Sequence, residues 1–146
     1  MTRKEMLPYL AGFFDGEGTV AIYRQNTQQS ENSYFLYVSI SQKKSRASLL
    51  VAKYLLATFG GSLYEWTTKS KSIMWSWQLS RDNAVPFLQQ MKPYTFIKFE
   101  QIVVALNWQR KKIRLKSGPL SESDPKTVAY LRETKRVTKL LRDLKK

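Results

Sequence analysis

The sequence predicts an α+β domain, a saddle of order αββαββα in which helices back one face of a four-stranded antiparallel sheet, with further helices at the C-terminal end. Three observations carry that expectation. Residues 33–42 and 73–80 carry an apolar or aromatic residue at every second position, as half-buried strands require. Apolar residues recur at helical spacing in the segments between and after them. The ββα pattern occurs twice, without residue-level repetition.

Residues 8–15 predict a short apolar helix, with Pro8 suited to its first position and Gly16 and Gly18 suited to ending it. Residues 19–25 are rich in strand formers. In residues 33–42, Tyr34, Leu36, Val38 and Ile40 share one face, and Phe35, Tyr37, Ser39 and Ser41 the other. The polar run 26–32 links the two strands. Leu49, Leu50, Ala52, Lys53, Leu55, Leu56 and Phe59 place a second helix within residues 43–59, stopped by Gly60 and Gly61. Strands over 62–68 and 73–80 follow, joined by a turn at 69–72, with Ile73, Trp75, Trp77 and Leu79 alternating with Met74, Ser76, Gln78 and Ser80. Asp82 or Asn83 offers a cap for a third helix that ends before Pro93 and carries Pro86 in its tolerant first turns. Residues 95–112 predict a fourth helix and 115–123 a loop. Asp124 and Pro125 supply the cap and first position of a last helix to Lys146. The expected organisation is one domain over residues 1–146, with a core at about 6–107 and a C-terminal helical extension from 108.

Composition narrows the chemistry. The 146 residues contain no cysteine and no histidine, which removes thiolate and imidazole nucleophiles, bases and zinc sites, and disulfides. Catalysis must then use carboxylates, Lys, Tyr, hydroxyls, amides or a hard metal held by oxygen. The formal charge is +14 and the pI about 10.1, so a polyanionic partner is expected, nucleic acid ahead of an anionic membrane. Charge is uneven: residues 1–42 carry 3 basic and 4 acidic side chains, against 22 and 7 in the remainder. Arg3 and Lys4 precede an apolar run in the manner of a signal peptide, but Pro8 and Gly12 interrupt it and Asp15 and Glu17 close it without a cleavage site. An intracellular protein is expected, in an organelle or a prokaryotic cytoplasm.

The two sheet faces differ. Tyr34, Leu36, Val38, Ile40, Trp66, Trp75, Trp77 and Leu79 are expected under the helices. The other face is expected to collect Thr19, Tyr23, Gln25, Ser33, Tyr37, Ser39, Ser41, Glu65, Thr67, Lys69, Ser76 and Gln78. Such a set suits an ordinary solvated face. It equally suits a twisted β-ribbon that reads base edges in a DNA major groove, and the net charge favours that use.

The first helix carries the sharpest signal. Gly12 and Gly16 stand in GxxxG spacing beside Ala11, which lets two helices approach closely. The segment ends in Asp15-Gly16-Glu17, carboxylates at a helix end whose exposed carbonyls also attract a hard cation such as Mg2+. Two surface acids at a helix terminus are common, yet there they oppose the helix dipole and need a compensating cause.

Leu10, Ala11, Gly12, Asp15 and Gly18, with Glu17 in place of a final Asp, resemble the signature of the LAGLIDADG homing endonucleases, and the ββαββα pattern extends the resemblance to about Asn107. The resemblance implies a saddle-shaped sheet straddling DNA and a homodimer, since one motif is present. It implies a two-fold interface built from Leu10, Ala11, Gly12, Phe13, Asp15 and Gly16. It also implies a divalent metal, Mg2+ or Mn2+, held by Glu17 and the Gly16 carbonyl. By the same resemblance Gln42 orders the attacking water, Arg46 belongs to the solvent network, and Lys98 is the active-site lysine. Taken singly, those three also suit a surface cap, a helix-surface charge and a solvated lysine. The basic run Arg110, Lys111, Lys112, Arg114 and Lys116 suits phosphate contact or a charged helix end.

The implied activity is site-specific hydrolysis of both strands of a long, roughly palindromic DNA site, leaving 3′ overhangs. Two other roles stay open at this point: an RNA maturase that assists intron splicing, and a non-catalytic DNA-binding regulator of the same fold.

Overall fold

A computed structural model describes residues 2–25, 33–114 and 125–145. The elements are α1 (Arg3–Glu17), β1 (Gly18–Arg24), β2 (Tyr34–Lys43), α2 (Arg46–Phe59), β3 (Ser62–Thr67), β4 (Ile73–Ser80), α3 (Ala84–Met91), α4 (Phe99–Arg114) and α5 (Pro125–Asp143), with single 3-10 turns at Arg81–Asn83 and Lys92–Tyr94. The loops expected over 26–32 and 115–123, the cap Asp124, Lys116 and Lys146 lie outside the described residues.

The four strands form one antiparallel sheet in the order β1-β2-β4-β3. Its register sets Val38 between Val20 and Leu79, and Ile40 beside Trp77, so the alternation of β2 and β4 lines up into one apolar face. Val38, Ile40, Trp75 and Trp77 are fully buried there. Each buried indole keeps a partner: Trp77 Nε1 donates to the Gly60 carbonyl at 2.7 Å and Trp75 Nε1 to Ser48 Oγ at 3.0 Å. Phe87 of α3 sets its ring edge against Phe14 (5.2 Å) and Phe59 (5.0 Å), and also contacts Trp77 at 5.0 Å, tying α1 and α2 to the sheet.

Strand β3 departs from expectation. Ser62 pairs with Gln78, Tyr64 with Ser76 and Trp66 with Met74, so these β3 residues share the face away from the helices. Glu65 pairs with Trp75 and Thr67 with Ile73, on the helix side, and Glu65 reaches Lys44 Nζ at 3.1 Å. Trp66 is therefore on the open face, whereas Glu65 and Thr67 are not. The cause is that β3 is an edge strand with little burial on either face. Leu63, packed on the core, sets the parity. Lys69 sits in the β3–β4 turn rather than on a strand face.

α1 begins at Arg3, not Pro8, because Thr2 and Glu5 form a capping box: Glu5 Oε2 accepts from the Thr2 amide at 2.8 Å and Thr2 Oγ1 from the Glu5 amide at 3.3 Å. Pro8 lies inside the helix, costing it one backbone bond. At α3, neither Asp82 nor Asn83 caps through its side chain; Asp82 instead accepts from Gln109 Nε2 at 2.9 Å. The C-terminal helix is part of the same core. Tyr130, Val137 and Leu141 join the cluster that holds Val20 and Trp77, and Trp108 donates to Thr134 Oγ1 at 2.9 Å. Among the described residues no helix is long and apolar enough to cross a membrane.

Candidate active site at the end of α1

Helical spacing divides α1 into two sides. Leu10, Ala11 and Phe14 are fully buried against the sheet and α3. Tyr9, Gly12, Phe13 and Gly16, at i, i+3, i+4 and i+7, make up the other side, where Gly12 and Gly16 are exposed and a Cβ on either would meet nothing within 4 Å. Leu10 and Ala11, expected at a two-fold interface, instead fill the core of the chain itself. The exposed side of the helix is the one bearing the two glycines.

The helix passes directly into β1. The Gly18 amide donates to the Phe14 carbonyl, and a Cβ at Gly18 would stand 2.6 Å from that oxygen, so no other residue fits without displacing backbone. This tight exit fixes where Asp15, Gly16 and Glu17 project.

Asp15 bonds to a distant segment of its own chain. Its Oδ2 accepts the amides of Phe96 (2.7 Å) and Ile97 (3.1 Å), and its Oδ1 that of Lys98 (3.0 Å). The Lys98 carbonyl accepts the Ile102 amide, the first bond leading into α4. Asp15 thus supplies a carboxylate to the amino end of α4, where orphan amides and the helix dipole both favour an anion. This is why α4 starts at Phe99 and not Thr95.

The same contact positions Lys98. Its Nζ donates to the Asp15 carbonyl at 2.7 Å and lies 5.9 Å from the Phe14 ring centroid. Lys98 is 8% exposed. Burial, the largest influence, lowers its pKa; Asp15 and Glu17 oppose that and Lys145 adds to it. A buried ammonium therefore stands at the carboxyl end of α1, among the carbonyls that are the negative pole of that helix.

Glu17, the last residue of α1, is exposed, and its charge acts on Lys98. With the Gly16 carbonyl it offers one anionic and one neutral oxygen ligand. That donor set fits Mg2+, which commonly keeps several waters and substrate oxygens and needs only one or two protein carboxylates. No cluster of three or more acidic side chains occurs among the described residues. Gln42 and Arg46 come from other elements, the end of β2 and the start of α2. Gln42 Oε1 accepts from the Lys43 amide at 2.9 Å, and Gln42 borders a hollow shared with Tyr9 and Phe13. Arg46 is exposed at the first position of α2. Among the described residues no hydrogen bond or ion pair joins either of them to Glu17 or Lys98.

The open sheet face carries Thr19, Tyr23, Gln25, Ser33, Tyr37, Ser39, Ser41, Ser76 and Gln78 in register. It is more aromatic than the sequence suggested. Tyr64 (47% exposed) and Trp66 (39%) stand beside each other at 5.7 Å, and Tyr23 lies 5.1 Å from Tyr37. Gln78 Nε2 donates to the Tyr64 hydroxyl at 2.8 Å. Sequence reading gave no expectation for Tyr64 or Arg81 and placed Trp66 on the other face; counting β3 from Leu63 puts Tyr64 and Trp66 here.

Residues 10–103 match the model of the LAGLIDADG endonuclease family. No curated protein matches the sequence. Among solved structures, the chain is similar to the homing endonuclease I-CvuI in complex with its target, at 17% identity, with 94% of this chain and 82% of that one covered and a TM-score of 0.68. It is similar to the archaeal intron-encoded homing endonuclease I-Vdi141I complexed with DNA, at 15% identity, 98% and 86% coverage and a TM-score of 0.67. The LAGLIDADG homing endonuclease I-SmaMI bound to cleaved DNA matches at 16% identity and a TM-score of 0.62, covering 90% of this chain and 42% of that one. At these identities the structural likeness speaks to the fold. The family match spans the second half of α1, all four strands and the segment bearing Lys98, and by it the chain belongs to the LAGLIDADG endonuclease family.

Proposed function

We propose that this chain is a divalent-metal-dependent endonuclease that cuts both strands of a long, roughly palindromic DNA site as a homodimer, leaving 3′ overhangs. The observation that carries the reading is at the end of α1: the exposed Glu17 carboxylate closes the helix whose Asp15 carbonyl, two residues earlier, holds the buried Lys98 ammonium at 2.7 Å. Family membership and the +14 charge support duplex DNA as the substrate. The outward Gly12 and Gly16 support close packing of two α1 helices, which would set two such sites across a two-fold axis.

Glu17 and the Gly16 carbonyl would hold Mg2+ or Mn2+, which supplies charge stabilisation and an acidified water at the phosphate. The chain's own groups do the rest. Lys98 presents a fixed positive charge to the oxygens of the scissile phosphate, where negative charge builds as water attacks phosphorus and the bond to the 3′ oxygen breaks. Because its ammonium is held against the Asp15 carbonyl, it needs little reorganisation when the phosphate arrives. Gln42 orders water and Arg46 adds charge once DNA and the partner protomer enclose the site. Thr19, Tyr23, Gln25, Ser33, Tyr37, Ser39, Ser41, Ser76 and Gln78 read base edges from the open face. Glu65 and Thr67, on the helix side, and Lys69, in the turn, are left to the rim.

Duplex nicking assayed with and without Mg2+, on a randomised DNA library, tests activity and target together. Recovered cleavage products that share a long two-fold-related sequence support the proposal. Affinity for a structured intron RNA without duplex cleavage points to the maturase role, and duplex binding without cleavage to the regulator.

A further inference from the structure

At the end of β4 the chain does something its neighbours do not. Arg81 adopts φ +58, a left-handed conformation seldom taken by residues other than glycine, asparagine and aspartate. It sends its exposed side chain back across the open sheet face. The guanidinium lies 4.9 Å from the centroid of the Phe35 ring, and one of its terminal N–H groups donates to Gln25 Oε1 at 3.3 Å. Ser33 Oγ makes a longer 3.5 Å approach to the same oxygen. Strained backbone at a residue whose side chain is held over an aromatic ring marks a positioned group.

The chemistry of this pair is one-sided. A guanidinium only donates hydrogen bonds, so the Gln25 atom facing it is the oxygen, and the Gln25 amide nitrogen is the group turned elsewhere. With its acceptor engaged, Gln25 is poorly suited to the paired donor and acceptor contact by which an amide reads adenine. What remains is donors only: the unused N–H groups of Arg81 and the Gln25 amide nitrogen. In the major groove guanine presents two adjacent acceptors, N7 and O6. Adenine places a donor beside its acceptor, thymine a methyl, and cytosine a donor.

We infer that Arg81 and Gln25 form a donor-only reading head for one guanine in the major groove of each half-site. The inference rests on the proposed DNA-cleaving function and names a specificity determinant within it. Its position follows from the strand. Gln25 stands seven residues from Gly18, about 23 Å at ~3.3 Å per residue, or roughly seven base pairs from the scissile phosphate at ~3.4 Å per pair.

Selection of bound duplexes from a randomised library in Ca2+ keeps the readout independent of cleavage. The wild-type protein should enrich guanine at one position per half-site, about seven base pairs from the cut. Arg81→Gly relieves the left-handed strain, so it folds, and it should lose the preference at that position alone, by about five- to a hundredfold. Exchanging that guanine for 7-deazaguanine removes only N7. It should weaken wild-type binding and leave Arg81→Gly binding unchanged. Position-specific selection without guanine there, or a uniform loss in Arg81→Gly across all sequences with a shallower salt dependence, overturns the inference and makes Arg81 a phosphate contact. Wild-type protein that selects no sequence at all sinks the DNA-cleaving reading together with it.

Discussion

The Asp15 carbonyl and the Lys98 ammonium are 2.7 Å apart although 83 residues separate them in the chain, and the Asp15 carboxylate holds the backbone on which Lys98 sits. One residue of the motif helix therefore aims the lysine, and the next acid along, Glu17, is the proposed metal ligand. On that proposal the two carboxylates of Asp15-Gly16-Glu17 do different jobs.

Asp15→Ala should cost stability as well as activity. It strips the carboxylate from three backbone amides at the start of α4, an expected loss of about 1–3 kcal/mol, or roughly 2–4 °C in Tm per kcal/mol, read by urea and thermal unfolding. Glu17→Gln should leave Tm nearly unchanged. Equal stability losses in both would mean that Asp15 is not the structural member.

Gly12→Leu adds a side chain on the outward face of α1, where a Cβ meets nothing in the protomer. The fold should survive, with the circular dichroism spectrum unchanged, while sedimentation shifts from dimer to monomer. A variant that still sediments as the wild-type dimer would place the interface elsewhere.

Lys98 should set an alkaline limit to cleavage. Burial lowers its pKa, so its positive charge is lost at a lower pH than that of an ordinary lysine. Catalysis that needs the charge should fall as pH rises through that lowered value, and Lys98→Arg should extend activity to higher pH. Lys98→Met should lose about 10²–10³-fold in rate at neutral pH with metal binding intact. A pH–rate profile whose alkaline limb is the same in Lys98→Arg would remove Lys98 from the chemistry.

Sheet-based readout predicts a long site. The ten residues of β2 span about 33 Å, close to ten base pairs, so a two-fold dimer should protect on the order of twenty. A footprint of six or eight pairs would contradict contact through the sheet.

What the sequence revealed depended on how local each signal was. The alternation of Val38 and Ile40 in β2, and of Trp75 and Trp77 in β4, is enforced by burial on one side, so parity, pairing and fold class were readable. β3 is a short edge strand with aromatic residues at Tyr64 and Trp66, and amphipathic side chains there do not reveal which face is covered. The start of α1 turned on a capping box at Thr2 and Glu5 that outweighed Pro8. The role of Asp15 was invisible because its partners, Phe96 to Lys98, are brought to it by the tertiary fold alone. Arg81 carried no signal either. Its use depends on a backbone angle and on an aromatic ring two strands away in sequence.

Glu17→Gln most directly tests whether Glu17 holds the metal used for cleavage, by measuring duplex cleavage in Mg2+ beside DNA affinity without divalent metal. The substitution keeps size and removes the charge. Cleavage should fall by orders of magnitude, while affinity holds or rises because one fewer carboxylate per protomer faces the phosphates. Cleavage by Glu17→Gln at near wild-type rate would contradict the account.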